Sequence, residues 1–439
     1  MRYPRPFAAT TLAAVGALLL AACSSGGNAA DATSEGATDP GTATTSEAAP
    51  TDASPVTLTL ATFLDPAGTT GREKVLKKLI DGFQADNPNV TIEVQTSQFS
   101  LLGTQFLAGA AAGNAPDISF VTNLDVLKVN SLGYFADLSS AFGADDLADL
   151  ESGSWNGVLV DGAPHAVPLF PISFGYLYNT EMFAAADIDP ASITTWDAFD
   201  EAATTLAATG VGGFCQGFSE STPDQTGVTA RLLSAAGTLF NDDGTPNWDS
   251  QDGIDAVNWA KGLIDAGATP AEAVAWTTED PYEQFAAGNC AMAMSASSRI
   301  PTIQGQIGED KVGFALFPTV DGSAPTVNLL GGWTAGAWTG GKHVDLAAKF
   351  LAYLVSADAD QLWVQEAGQA PLRQSTGDAL DLPDWLQTVV TGIGIGYAPP
   401  ADMKGDWRPA FNAIMQDVLV NGTDTETALK NGIDRYLNG

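Results

Sequence analysis

The chain has little cysteine, little histidine and little positive charge. Its 439 residues include 3 cysteines and 2 histidines. His165 and His343 stand far apart, and no His/Cys group has zinc-site spacing, so no metal and no cofactor are expected. Lys and Arg total 18 against 52 Asp and Glu, a formal charge of −34. Such a surface repels nucleic acid and anionic lipid headgroups, which excludes nucleic-acid partners and disfavours a highly charged anion as ligand. Catalytic signatures are missing as well. The chain has no Gly-x-Ser-x-Gly elbow, no zinc motif and no phosphate-cradling loop. Past the N-terminal apolar run, no segment is apolar over the ~20 residues that a membrane-spanning helix needs.

What is present begins at the N-terminus. Arg2 and Arg5 precede an almost unbroken apolar run from Phe7 to Leu20, followed by small residues, the order of a secretory signal. Leu20-Ala21-Ala22-Cys23 resembles the lipobox of bacterial lipoproteins. That resemblance implies a signal over 1–22, removed to leave lipid on Cys23, and a protein anchored at the extracytoplasmic face of the cell membrane. An ordinary secretory signal with an incidental cysteine is the alternative. Residues 23–54 are rich in Ala, Thr, Ser, Gly, Pro and acids without a hydrophobic period, and read as a disordered tether.

From Pro55 the pattern changes. Leu58 and Leu60 alternate in a strand over Val56 to Thr62. Val75, Leu76, Leu79, Ile80 and Phe83 then recur at helical spacing until Pro88. Val90, Ile92 and Val94 mark a second strand, Leu101 to Ala112 a helix closed by Gly113, and Asp117 to Val121 a third strand. This alternation predicts parallel strands with helices packed on them. It resumes in a buried stretch from Ala166 to Asn179, interrupted by Pro168 and Pro171. Thr194 or Thr195 caps a helix with Trp196, Phe199, Ala203 and Leu206 on its inner face. Further helices are expected around Ile254 to Leu263, at Tyr282 to Ala287, from Lys342 to Ser356, from Pro409 to Val420 and from Thr425 to Leu437. Strands are expected at Ala291 to Ser295, Val312 to Phe317 and Leu329 to Ala337. Ser375 to Asp406 reads as mostly loop with a short helix at Trp385 to Thr391. In an oxidising compartment Cys215 and Cys290 are either bridged or two buried thiols.

The order of these elements resembles the extracellular solute-binding proteins of ATP-driven (ABC) importers, in the carbohydrate-binding branch that includes maltose-binding protein. The matching stretches are Ala115-Pro116-Asp117-Ile118, Tyr178-Asn179-Thr180-Glu181-Met182-Phe183 and Thr195-Trp196-Asp197-Ala198-Phe199. They continue with Phe285-Ala286-Ala287-Gly288-Asn289-Cys290-Ala291-Met292, Gly331-Gly332-Trp333 and Gly368-Gln369-Ala370-Pro371. Each is weak alone; their order behind a lipobox is specific. Cys290 stands where the family varies, and the loop around Gln98 is diagnostic of no one sugar. The resemblance implies a type II periplasmic-binding-protein-like α/β fold, two α/β lobes joined by a multi-strand hinge with a ligand cleft between them. One lobe is expected from 55–170 and 317–371, the other from 171–316 and 372–439. It further implies a monomeric binding protein, not an enzyme, which delivers its solute to the permease subunits. A surface glycosidase, a scaffold or adhesin, and the same fold serving a non-sugar solute are the competing readings.

Sugar rings have flat apolar faces edged by hydroxyls, so a sugar site needs aromatic planes and hydrogen-bonding side chains. The chain has 10 tryptophans, and together with the scarcity of arginine this points to a neutral sugar. Trp333, after two glycines at a strand end, is the first candidate plate; a core tryptophan between lobes is the competing reading. Trp276 and Trp407 are further candidates, Trp155 a lesser one, while Trp196, Trp259 and Trp363 fall on helix faces and read as core. For polar contacts, Asp65, Gln98 and Asn123 follow the first three strands, where open α/β sheets bind ligands. Ser297 follows the Ala291 to Ser295 strand, and Arg373 follows Pro371, near which the chain is expected to cross between lobes for the third time after Phe170 and Phe317, with a fork suited to paired hydroxyls.

Overall fold

The computed structural model describes residues 54–150, 158–220, 225–323, 331–397, 403 and 405–438. The signal segment, Cys23, Trp155 and nearly all of the tether lie outside them. Besides a short hairpin within 159–164, the strands are β1 (Val56–Thr62), β2 (Val90–Thr96), β3 (Ile118–Thr122), β4 (Val167–Ile172), β5 (Phe174–Asn179), β6 (Gly212–Cys215), β7 (Cys290–Ala296), β8 (Val312–Ala315) and β9 (Gly331–Ala337).

They form two sheets. The first has the order β2-β1-β3-β9-β4. β1 runs parallel to β2 and β3, with Leu58 opposite Ile92 and Leu60 opposite both Val94 and Ile118, so the alternating leucines face the core. β9 returns antiparallel between β3 and β4. The helix Gly71–Asp86 follows β1. Thr70 and Glu73 close a capping box at its start, which satisfies two otherwise orphaned backbone donors, and Val75, Leu76, Leu79, Ile80 and Phe83 face inward. The helix Leu102–Ala112 ends at Gly113 with φ +76°, a left-handed cap that favours glycine.

The second sheet has the order β8-β5-β7-β6, with β5 antiparallel to β8 and β7, and β6 parallel to β7. Cys215 and Cys290 form a disulfide across β6 and β7 with a Cα–Cα separation of 6.2 Å, so of the two readings the bridged one holds. Thr195 caps the helix Trp196–Ala207 as its sequence suggests, and Trp196 stacks on Phe317 at 5.6 Å. One core surrounds Phe120, Phe170 and Trp363; another surrounds Trp196, Phe199 and Trp248.

Only Ser173 separates β4 from β5, so the chain passes between the sheets in one extended stroke. The helix Asp384–Gly394 packs on that crossing: a Cβ at Gly392 would lie 2.0 Å from the Ser173 hydroxyl, so the position takes glycine. Residues 375–397 are therefore more regular than their sequence suggests. The stretch begins with the helix Gln374–Ala379, and Leu386, Val389 and Ile393 bury one face of the next. Its glycines masked the period. The helices Thr226–Ala236 and Ala357–Ala367 and strand β6 also escape the sequence reading. β6 opens with two glycines because a Cβ at Gly213 would meet the Ala203 carbonyl at 1.8 Å; close packing against a helix, not strand propensity, selects them.

Candidate functional site

The loops leaving β1 and β3 and the start of β9 converge on the space between the sheets. Phe63, just past β1, lies half-buried with its ring 4.4 Å from that of Trp333. Trp333 sits opposite Thr122 on β3 and Phe170 on β4, and the ladder shifts register immediately after it. Gly332 before it has φ +131°, and a Cβ there would press 2.4 Å from the Phe170 carbonyl, so this approach requires glycine. Asn123 closes the corner. Its N–H donates to the Gly332 carbonyl (3.2 Å) and its Nδ2 to the Gly331 carbonyl (3.0 Å). Its Oδ1 is buried without a partner.

Two cavities open here, each lined by helices and loops of both lobes. One, of about 310 Å³, is lined by Phe63, Arg72 and Glu73 on one side and Ser298, Pro301 and Thr302 on the other. The second, of about 230 Å³, lies between Leu107, Leu124, Asp125 and Lys128 and the C-terminal segment Met403, Asp406, Trp407 and Arg408. Asp125 accepts from the Thr122 hydroxyl at 2.7 Å, and Arg408 pairs with Asp406 at 2.7 Å and 2.8 Å. Such walls offer flat apolar faces edged by hydrogen-bonding groups.

Of the residues expected from sequence, Asn123 and Trp333 are brought together. Trp333 is 8% exposed and belongs to the first core; it lines neither cavity and reaches the site through Phe63, whose ring it backs. Asp65 is exposed and accepts from the Ala67 N–H at 2.8 Å, shaping its own turn. Gln98 is exposed before the short turn Phe99–Leu101, and lines neither cavity. Trp276 is half-buried against the second lobe, its carbonyl accepting from the Ser219 N–H.

Three expectations need correction. Ser297 is buried at the crossing. Its N–H donates to the Ser173 carbonyl (2.9 Å) and its hydroxyl accepts from the Ser173 N–H (3.2 Å), so its polar atoms fasten the hinge. Arg373 is 4% exposed; its guanidinium reaches the Val355 carbonyl, Asp149 and Asp146, leaving no fork for hydroxyls. Trp407 is 0% exposed, wedged among Phe240, Trp248 and Phe411, and only borders the second cavity. Trp155 falls outside the described residues.

Sequence reasoning missed Phe63, Arg72, Asp125 and Asp406. Phe63 follows the first strand, where open sheets bind ligands, and that position was its available signal. Among the described residues no group of acids, histidines or cysteines could hold a metal ion.

The profile of the bacterial extracellular solute-binding proteins matches residues 67–361. The chain belongs to that family. Among solved structures, the GacH receptor of Streptomyces glaucescens, determined unliganded and with acarbose, matches with a TM-score of 0.75 at 21% identity, over 88% of this chain and 98% of that one. The fold of this solute-binding protein is thus the type II periplasmic-binding-protein fold. A putative ABC transporter periplasmic-binding protein of Escherichia coli, YcjN, is 23% identical over 71% of this chain and 72% of its own length. An uncharacterised lipoprotein of Streptomyces antibioticus is 27% identical over 38% of this chain and 37% of its own.

Proposed function

We propose that the protein is the membrane-tethered solute-binding lipoprotein of an ABC importer, taking a sugar or oligosaccharide between its lobes and handing it to the permease. The carrying observation is the pair of inter-lobe cavities, one with the Phe63 ring in its wall and the other edged by Asp125, Asp406 and Arg408. Phe63, backed by Trp333, forms the plate, and Asp125, Asp406 and Arg408 supply edges for hydroxyls. The lobes are 55–170 with 317–371 and 171–316 with 372–439. The acarbose complex of GacH, the transporter name of YcjN and the lipoprotein of Streptomyces antibioticus support the sugar, the importer and the anchor respectively.

A glycosidase would need two carboxyls poised around a glycosidic bond. In the second cavity Asp406 is in an ion pair with Arg408 and Asp125 accepts from Thr122; each carboxylate keeps lone pairs for solute hydroxyls, but neither stands free as a catalytic pair requires. The test is a thermal-shift screen of mono- and oligosaccharides, since a ligand of the folded form must raise its melting temperature. At least one sugar is expected to do so saturably and to be recovered intact. A shift confined to non-sugar solutes refutes the sugar, and hydrolysis refutes the binding-protein reading.

A further inference from the structure

Arg72 is the residue of the cleft that the neutral-sugar expectation leaves unexplained. It stands in the first turn of the helix Gly71–Asp86, with its guanidinium 5.7 Å from the Phe63 ring centre and 5.4 Å from that of Phe170. It lines the cavity of about 310 Å³ between the lobes. Among the described residues it has neither a hydrogen-bond acceptor nor an ion-pair partner. The nearby acid does not fill that role. The Glu73 carboxylate turns back to accept from the Thr70 N–H (2.9 Å) and hydroxyl (2.8 Å). Across the cavity, next to Ser298, stands a second cation, Arg299, which lies over the Tyr282 ring and is paired with Glu279. Burial, and then the charge of Arg299, weigh against the charge on Arg72 and lower its pKa from the ordinary value. A guanidinium is nonetheless always charged in proteins, so its fork faces the cavity as an unanswered cation.

We infer that this cavity receives a carboxylate carried by the solute, bound by the Arg72 fork with its sugar ring against Phe63, so that the ligand is an acidic sugar of the uronic-acid class. The inference rests on the reading of the inter-lobe space as a sugar site and replaces neutral with monoanionic. A fork–fork pair between guanidinium and carboxylate gives two charge-assisted bonds in fixed geometry. The anion also relieves the repulsion between the two arginines. The acidity of the whole surface excludes highly charged anions but not a single carboxylate seated on a desolvated cation.

The experiment is calorimetric titration of the full chain without its signal and tether against matched pairs: glucose and glucuronate, galactose and galacturonate, mannose and mannuronate, with their disaccharides. In at least one pair the acid is expected to bind at least tenfold tighter than its neutral counterpart. That preference is expected to fall as salt rises, while neutral-sugar affinity does not. Arg72→Gln should erase the preference by weakening the acid, and Arg72→Lys should restore part of it. Melting temperatures of the unliganded variants control for folding, and the salt series on the wild type needs no variant at all. A neutral sugar that binds as tightly as its acid overturns this inference and leaves the sugar receptor standing. Absence of binding by every sugar, acidic and neutral, overturns both.

Discussion

Replacing Trp333 by alanine is expected to cost stability and affinity together, because the ring belongs to a core and backs Phe63, which lines a cavity. It is 8% exposed and packs 4.4 Å from the Phe63 ring. A tryptophan buries roughly 150–250 Å², which at about 25 cal/mol per Å² gives about 4–6 kcal/mol as an upper bound. Large-to-small changes of buried tryptophan cost about 3–5 kcal/mol, so about 4 kcal/mol is the expectation here. For a chain this size melting as one unit, an unfolding entropy of about 0.8 kcal/mol/K turns that into a drop of roughly 5 °C. If the first lobe melts alone, the same loss falls on about half the residues and the drop doubles to about 10 °C. Calorimetry on wild type, Trp333→Ala and Trp333→Phe measures it, with phenylalanine expected to recover more than half. Sugar affinity of the alanine variant, titrated well below its melting temperature, should fall by about 2 kcal/mol or more, the size of an interface hot spot. That is roughly a thirtyfold rise in Kd. A variant that melts like wild type refutes the core packing. One that melts early and binds sugar normally refutes the stacking role.

Other perturbations test the frame around the site. With Cys215 and Cys290 bridged, a thiol assay on the denatured, unreduced domain lacking Cys23 should find no free thiol, and the double alanine variant should lose about 4 kcal/mol of stability, measured by denaturant unfolding. Asp149→Asn removes an anion from the 4%-exposed Arg373 and should cost about 2–3 kcal/mol, read in the same assay. Burial works against the Asp149 charge, but the Ser375 hydroxyl and N–H and the Arg373 guanidinium outweigh it and hold the carboxyl below the usual range. Its contribution is therefore present above the unfolded value near pH ~4 and lost as pH falls through the lower folded value. Wild type should lose stability in that acid window more steeply than Asp149→Asn. Cys23→Ala should move the protein from the membrane fraction to the medium without altering sugar affinity; unchanged retention would contradict lipid anchoring.

Where a local rule sufficed, the sequence announced the fold. The leucines of β1, the cap at Thr195, one of two threonines the sequence offers, and the stop at Gly113 are each settled within a few residues, and the structure has them where the pattern puts them. The elements that went unread are those whose residues answer to distant neighbours. Gly213 is selected by the Ala203 carbonyl, and Gly392 by the Ser173 hydroxyl. Glycine at such positions reads as loop from one side only, because the atom that forbids a side chain lies elsewhere in the chain.

The same logic governs the site. Arg373 had the chemistry of a hydroxyl binder and the position of a cleft residue. Asp149, 224 positions earlier, decides the matter by taking its guanidinium. Ser297 was equally suited and is claimed by Ser173, 124 positions away. Arg72 offered no sequence signal stronger than theirs, yet in the fold its fork finds no acceptor among the described residues, and Asn123 keeps a buried Oδ1 unpartnered. Residue type states what a side chain can bond, and tertiary structure states whether that capacity is already used. A buried polar group left without a partner carries a cost of about 1–3 kcal/mol, more when charged. In a cleft that cost is lifted when a solute arrives, so on the reading proposed above it is Arg72, unpartnered and lining a cavity, that marks where binding energy is released, more sharply than the tryptophans do.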